Sequence, residues 1–191
     1  MNTKINILPS EDPRNPSFHY KDSIMENVEN SNLFNSYLKQ KNFKKEFSGT
    51  LWAEGPCYIP HLKKLIWSDI PNNRMMQLIQ GNVNEFINPS NFSNGNTIDN
   101  EENIISCSHG GRCIYKIDDY TKKTILIDNY NDKKFNSPND VCVKSDGSIW
   151  FTDPPYGILS NYEGYLAQQE YGGCYVFRYD PKTNDLHVIT K

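Results

Sequence analysis

Three stretches of this chain fall into register when Glu54, Asn94 and Asn139 are aligned, at offsets of 40 and 45 residues. Each opens with a small polar tripeptide that reads as a turn (Glu54-Gly55-Pro56, Asn94-Gly95-Asn96, Pro138-Asn139-Asp140), followed by a short apolar run (Cys57-Tyr58-Ile59, Thr97-Ile98, Val141-Cys142-Val143). After another turn comes a second run (Leu65-Ile66-Trp67, Ile104-Ile105-Ser106, Ile149-Trp150-Phe151). It ends at Asp69, His109 and Asp153, which lie 15, 15 and 14 residues beyond the opening polar residue. Two more runs complete each unit: 74–78 and 83–87, 113–117 and 124–127, 175–179 and 186–189. β-Branched and aromatic runs punctuated by Gly, Asn, Asp and Pro are strands. Four strands in about 40–45 residues is the spacing of a β-propeller blade, and a blade buries its faces only by stacking on its neighbours. The expected fold is therefore all-β, with residues 48–191 forming a partial β-propeller of three four-stranded blades. Trp67 and Trp150, two and three residues before the closing Asp, are expected as equivalent core residues between blades.

Residues 1–47 differ. They are polar and Asn-rich, with only a helical stripe through Ile24, Val28, Phe34, Tyr37 and Leu38, and are expected to form an N-terminal extension. An aromatic content of 13% sets the whole chain apart from a disordered one, although only 37% of it is hydrophobic. The net charge of −3 supplies no basic field for nucleic acid or an anionic membrane, so neither is an expected partner. No apolar run approaches the roughly 20 residues of a membrane helix. Residues 1–20 carry charges and three prolines where a secretory signal would have an apolar stretch, so a cytoplasmic location is expected. The five cysteines (Cys57, Cys107, Cys113, Cys142, Cys174) are far apart and form no Cys-x-x-Cys, which predicts buried free thiols.

The chemistry follows from the repeat. Innermost propeller strands converge on the central channel, which would bring Glu54, Asn94 and Asn139 together. A carboxylate and two amides make a poor acid–base set and a good oxygen site for a hard cation, since Ca²⁺ takes about 6–8 such ligands. Bland readings stand beside this one. Asn94-Gly95 also suits a type I′ hairpin and Glu54-Gly55-Pro56 a plain turn, while Asp69 and Asp153 also suit turn-tying. His109, in Ser108-His109-Gly110-Gly111-Arg112, fits either a channel-facing acid/base or substrate donor, or a hairpin before the third strand. No Gly-x-Ser-x-Gly occurs, which argues against a serine hydrolase.

Trp52-Ala53-Glu54-Gly55-Pro56, Asn94-Gly95-Asn96 with Asp99, and the run from Asn136-Ser137-Pro138-Asn139-Asp140-Val141 to Trp150-Phe151-Thr152-Asp153-Pro154-Pro155-Tyr156-Gly157-Ile158 resemble the gluconolactonase family, which also holds the senescence-marker and luciferin-regenerating proteins. The resemblance covers residues 48–191. It implies a six-bladed propeller with one divalent cation in its channel, Ca²⁺ first and Zn²⁺, Mn²⁺ or Mg²⁺ as alternatives, acting on sugar-acid lactones. It implies that Glu54 is a metal ligand and that Asn139 contacts substrate or a metal-bound water. Asn94, His109 and Asp153 match positions near the pocket. Ser137 stands where some animal members have an Arg that contacts substrate. The family's second asparagine ligand and its general-base aspartate come from later blades than these, so the chain is expected to be the N-terminal half of a lactonase, inactive alone and completed by a C-terminal half. The alternatives are a non-catalytic propeller fragment or interaction module and, on the same cation, a phosphotriesterase.

Overall fold

The computed structural model describes residues 45–118 and 122–191. The extension expected over residues 1–47, with its helical stripe, falls outside them except for Lys45–Phe47. Contacts separate Met1–Gly49 from a second unit, Thr50–Lys191, which carries the fold.

That unit contains three four-stranded antiparallel meanders. The first is β1 (Ala53–Ile59), β2 (Lys64–Asp69), β3 (Arg74–Ile79) and β4 (Asn82–Ile87), and the second is β5 (Ser93–Ile98), β6 (Ile104–Ser108), β7 (Cys113–Ile117) and β8 (Lys123–Ile127). A small hairpin, β9 (Asn129–Tyr130) and β10 (Lys133–Lys134), leads into the third, β11 (Val141–Val143), β12 (Ile149–Asp153), β13 (Tyr175–Asp180) and β14 (Asp185–Thr190). Within each sheet, strands neighbour in chain order, joined by short turns except between β12 and β13. Gln80 and Gly81 show how: both adopt positive φ (51° and 78°), as a two-residue type I′ hairpin loop requires. The sheets pack side by side as propeller blades, and the described residues do not close a ring.

Stacking decides which residues form the core. Blade two is covered on both faces, so every residue of β6 is buried. One face, with Ile104, Tyr115 and Ile117, packs on Ile59, Ile66 and Met75 of blade one. The other, with Ile105, Cys107 and Ile114, packs on Phe135, Phe151 and Phe177 on the blade-three side.

This arrangement corrects the expectation for the two tryptophans. Trp67 and Trp150 are half-buried, because strand parity turns each onto the face opposite its buried neighbour, Ile66 or Phe151. Those faces look away from blade two. A second correction concerns the thiols. Cys57, Cys107 and Cys113 are buried, whereas Cys142 and Cys174 are exposed, and all five are unpaired.

Candidate functional site

The polar tripeptides at the head of blades one and two are not turns. They lie inside the innermost strands as bulges, where the register of β1 on β2 shifts between Glu54 and Cys57, and that of β5 on β6 between Ser93 and Asn96. An extra residue in one strand re-aims the side chains beside it. Asn94-Gly95 is thus a bulge and not a hairpin loop. β6 also ends one residue earlier than expected, at Ser108, so His109 opens the following turn.

The innermost segments meet through backbone. Gly95 N donates to Asn139 O at 2.8 Å, joining blade two to blade three. Between blades one and two the approach is closer still: a Cβ on Gly55 would stand 2.2 Å from Asn94 O, and Gly55 has φ +54°. Only glycine tolerates both the backbone angle and the contact. Gly55→Ala is expected to lose about 2–4 kcal/mol in urea denaturation, combining the left-handed penalty with overpacking. A loss below about 1 kcal/mol would show that the blades tolerate separation here.

Beneath this junction lies a buried polar layer. Ser68 Oγ donates to Asn94 O at 2.7 Å, and Asn96 Nδ2 reaches Gly55 O, Ser68 Oγ and Asn94 O at 2.9–3.0 Å. Ser106 Oγ donates to Asn96 Oδ1 at 2.6 Å. Burying these groups is tolerable because each finds a partner.

His109 is 0% exposed and Asn94 4%. Asn94 Nδ2 lies 3.0 Å from His109 Nε2, and His109 Nδ1 lies 2.9 Å from the backbone oxygen of Glu163. Burial lowers the imidazole pKa, against the opposing pull of the Glu163 backbone oxygen, and a Glu163 carboxylate oxygen lies 3.9 Å from Nδ1. Glu163 comes from the long connector of blade three, Pro154–Cys174, where the other two blades have four residues between the equivalent strands. Gly157 lets this connector lie on the histidine, since a Cβ there would stand 2.4 Å from the imidazole ring. Burial and the charge of Glu54 raise the Glu163 carboxyl pKa, so two acidic side chains share one field. Glu163 was invisible in the repeat because it sits in an insertion that only one blade carries.

Glu54 is exposed, and its carboxylate accepts from Trp52 Nε1 at 3.3 Å. The Asn139 side chain is half-buried, and it and Asn94 Oδ1 have no hydrogen-bond partner among the described residues. Asp153 is placed differently. It is fully buried and its carboxylate accepts from Asn136 N (2.8 Å), Ser137 N (2.9 Å) and Tyr171 Oη, tying down the approach to Asn139. Asp69 does the same for blade one, accepting from Leu51 N at 2.9 Å and Arg74 Nε at 2.9 Å.

Burial outweighs those three donors and pushes the Asp153 carboxyl up to about 6 from 3.8. A pKa raised by folding adds stability below the unfolded value, and that contribution is lost as pH rises through the folded one. Between pH 4 and 7 the stability of the wild-type chain relative to Asp153→Asn should therefore fall by up to about 3 kcal/mol. A constant difference across parallel denaturant titrations would refute this.

Among the described residues, no three His, Cys, Asp or Glu side chains gather where they would hold a metal ion. The side-chain oxygens expected at the inner-strand heads are those of Glu54, Asn94 and Asn139. Both imidazole nitrogens of His109 are already engaged, so this set fits a hard cation such as Ca²⁺ better than one that prefers nitrogen or sulfur.

The model of the SMP-30/gluconolactonase/LRE-like region matches residues 52–190. The chain belongs to this family. The gluconolactonase of Zymomonas mobilis subsp. mobilis is 34% identical over 145 residues, 68% of this chain and 40% of that protein. The lactonohydrolase OryL of Aspergillus oryzae is 32% identical over 77 residues, 40% of this chain and 17% of that one. The structure of a gluconolactonase from Xanthomonas campestris is similar at a TM-score of 0.71 and 34% identity, covering 73% of this chain and 47% of the other. This chain therefore spans less than half the length of these relatives.

Proposed function

We propose that this chain carries the cation- and substrate-holding part of a lactonase that opens sugar-acid lactones. The observation that supports this reading is the backbone contact of the Asn94-Gly95 bulge with Gly55 on one side and with Asn139 on the other, in a chain whose relatives are gluconolactonases; Glu54, Asn94 and Asn139 would offer their side-chain oxygens there. Glu54 supplies the negative charge of the site, and Asn94 and Asn139 supply neutral oxygens. A divalent cation, Ca²⁺ before Zn²⁺, Mn²⁺ or Mg²⁺, would supply Lewis acidity toward the lactone carbonyl when bound. Asn139 contacts the substrate or a water, and Asp153 fixes the loop that presents it. His109, bonded at both ring nitrogens, supports Asn94. The five unpaired thiols support a reducing, cytoplasmic setting. Among the described residues no helix is long and apolar enough to cross a membrane.

Three side-chain donors leave most of a six- to eight-oxygen Ca²⁺ shell to water or to other blades. Residues 1–191 alone are therefore expected to hydrolyse a sugar δ-lactone no faster than buffer in millimolar-range Ca²⁺. The same chain joined to the later blades of the Zymomonas relative should show Ca²⁺-dependent turnover in a pH-stat. A joined protein that folds, binds Ca²⁺ and leaves the lactone intact would favour an interaction module instead.

A further inference from the structure

An amide cannot choose its own orientation: oxygen and nitrogen fill nearly the same volume, and the neighbouring hydrogen bonds decide. At Asn94 the decision can be followed atom by atom. The Glu163 backbone oxygen can only accept, so the ring nitrogen 2.9 Å from it, His109 Nδ1, carries the hydrogen. The ring is 0% exposed, where an uncharged imidazole is favoured, so the other nitrogen, Nε2, is bare and can only accept. Its neighbour at 3.0 Å must donate, and it is Asn94 Nδ2. The other amide atom, Oδ1, is thereby turned away from the histidine, no described group donates to it, and it is not sealed from solvent. The Asn94 backbone is held as well, because its carbonyl accepts from Ser68 Oγ and Asn96 Nδ2.

We propose that His109 is a positioning residue: held in its Nδ1–H tautomer by the Glu163 carbonyl, it fixes the Asn94 amide with Oδ1 presented as a rigid oxygen donor. The blade-three connector thus sets, through one imidazole, the chemistry offered by a blade-two side chain. The use of that oxygen rests on the lactonase reading, whereas its orientation does not. With Nδ2 and Oδ1 exchanged, the site would offer an N–H to an electron-poor ligand, the wrong polarity. Supports of this kind typically change metal affinity by roughly 10–100-fold when removed.

The test is nuclear magnetic resonance on ¹⁵N-labelled residues 1–191. Long-range proton–nitrogen spectra should show the His109 hydrogen on Nδ1. Asn94 side-chain N–H₂ signals should exchange slowly with solvent, and His109→Phe, which has neither acceptor nor donor, should speed that exchange about tenfold or more. His109→Gln keeps one acceptor and one donor, so it should retain most of the protection, and it serves as the folded control. A hydrogen on Nε2, or Asn94 exchange unchanged in His109→Phe, overturns the proposal. A Ca²⁺ titration of these blades joined to the later blades of the Zymomonas relative separates the two ideas. An Nδ1–H spectrum with slow Asn94 exchange and no response to Ca²⁺ would keep the orientation and remove the cation reading.

Discussion

Glu54→Gln in a protein carrying these blades together with the later ones should remove Ca²⁺-dependent lactone opening, with a loss beyond the roughly 10–100-fold that a supporting residue of a metal ligand costs. The substitution keeps the shape of the side chain and leaves an oxygen for Trp52 Nε1. What it removes is the single negative charge among the three inner-strand donors. A neutral amide cannot offset the cost of stripping water from a divalent ion. Calorimetry with Ca²⁺ and a pH-stat assay would both register the loss. A third readout needs no metal: the Glu163 carboxyl, lifted partly by the charge of Glu54, should titrate lower in the variant. Full activity in Glu54→Gln would move the chemistry elsewhere in the molecule.

How far the sequence could be read depended on whether a feature repeated. The blade architecture was legible because four strands recur with polar residues at fixed points, and strand boundaries such as Cys113–Ile117 agree with the structure. Bulges were not legible. Glu-Gly-Pro and Asn-Gly-Asn carry turn chemistry, and only pairing partners show that they continue a strand. Asp69, His109 and Asp153 looked alike by spacing yet do different things. The carboxylates accept from nearby backbone N–H groups, while the imidazole reaches across to Asn94 and a distant carbonyl. Glu163 could not be found by periodicity, because the 21-residue connector that bears it has no counterpart in the other blades. Trp67 and Trp150 misled because their similar distance from the closing Asp suggests equivalent burial, whereas the phase of the strand decides it.

The aromatic cluster between blades two and three should respond most strongly to truncation. Phe177 is 0% exposed, stacks on Phe151 with ring centroids 5.2 Å apart, and meets Phe135 at 5.1 Å and Tyr130 at 5.3 Å. Its strand β13 is held by β12 on one side and β14 on the other, so the backbone cannot collapse into the space left by a missing ring. Phe177→Ala is therefore expected to cost about 3–5 kcal/mol, the transfer loss plus an unrelaxed cavity. Trp150→Ala provides the contrast. Trp150 is the larger ring, but it lies half-buried on the opposite face and its indole nitrogen bonds locally to Ser148 Oγ at 3.0 Å. In residues 1–191 its removal should cost less than half as much as that of Phe177. Denaturant titrations of both variants would decide between two accounts of the core. If Trp150→Ala proved the more damaging, ring size rather than strand phase would govern burial, and the face of blade three turned away from blade two would have to be covered in solution.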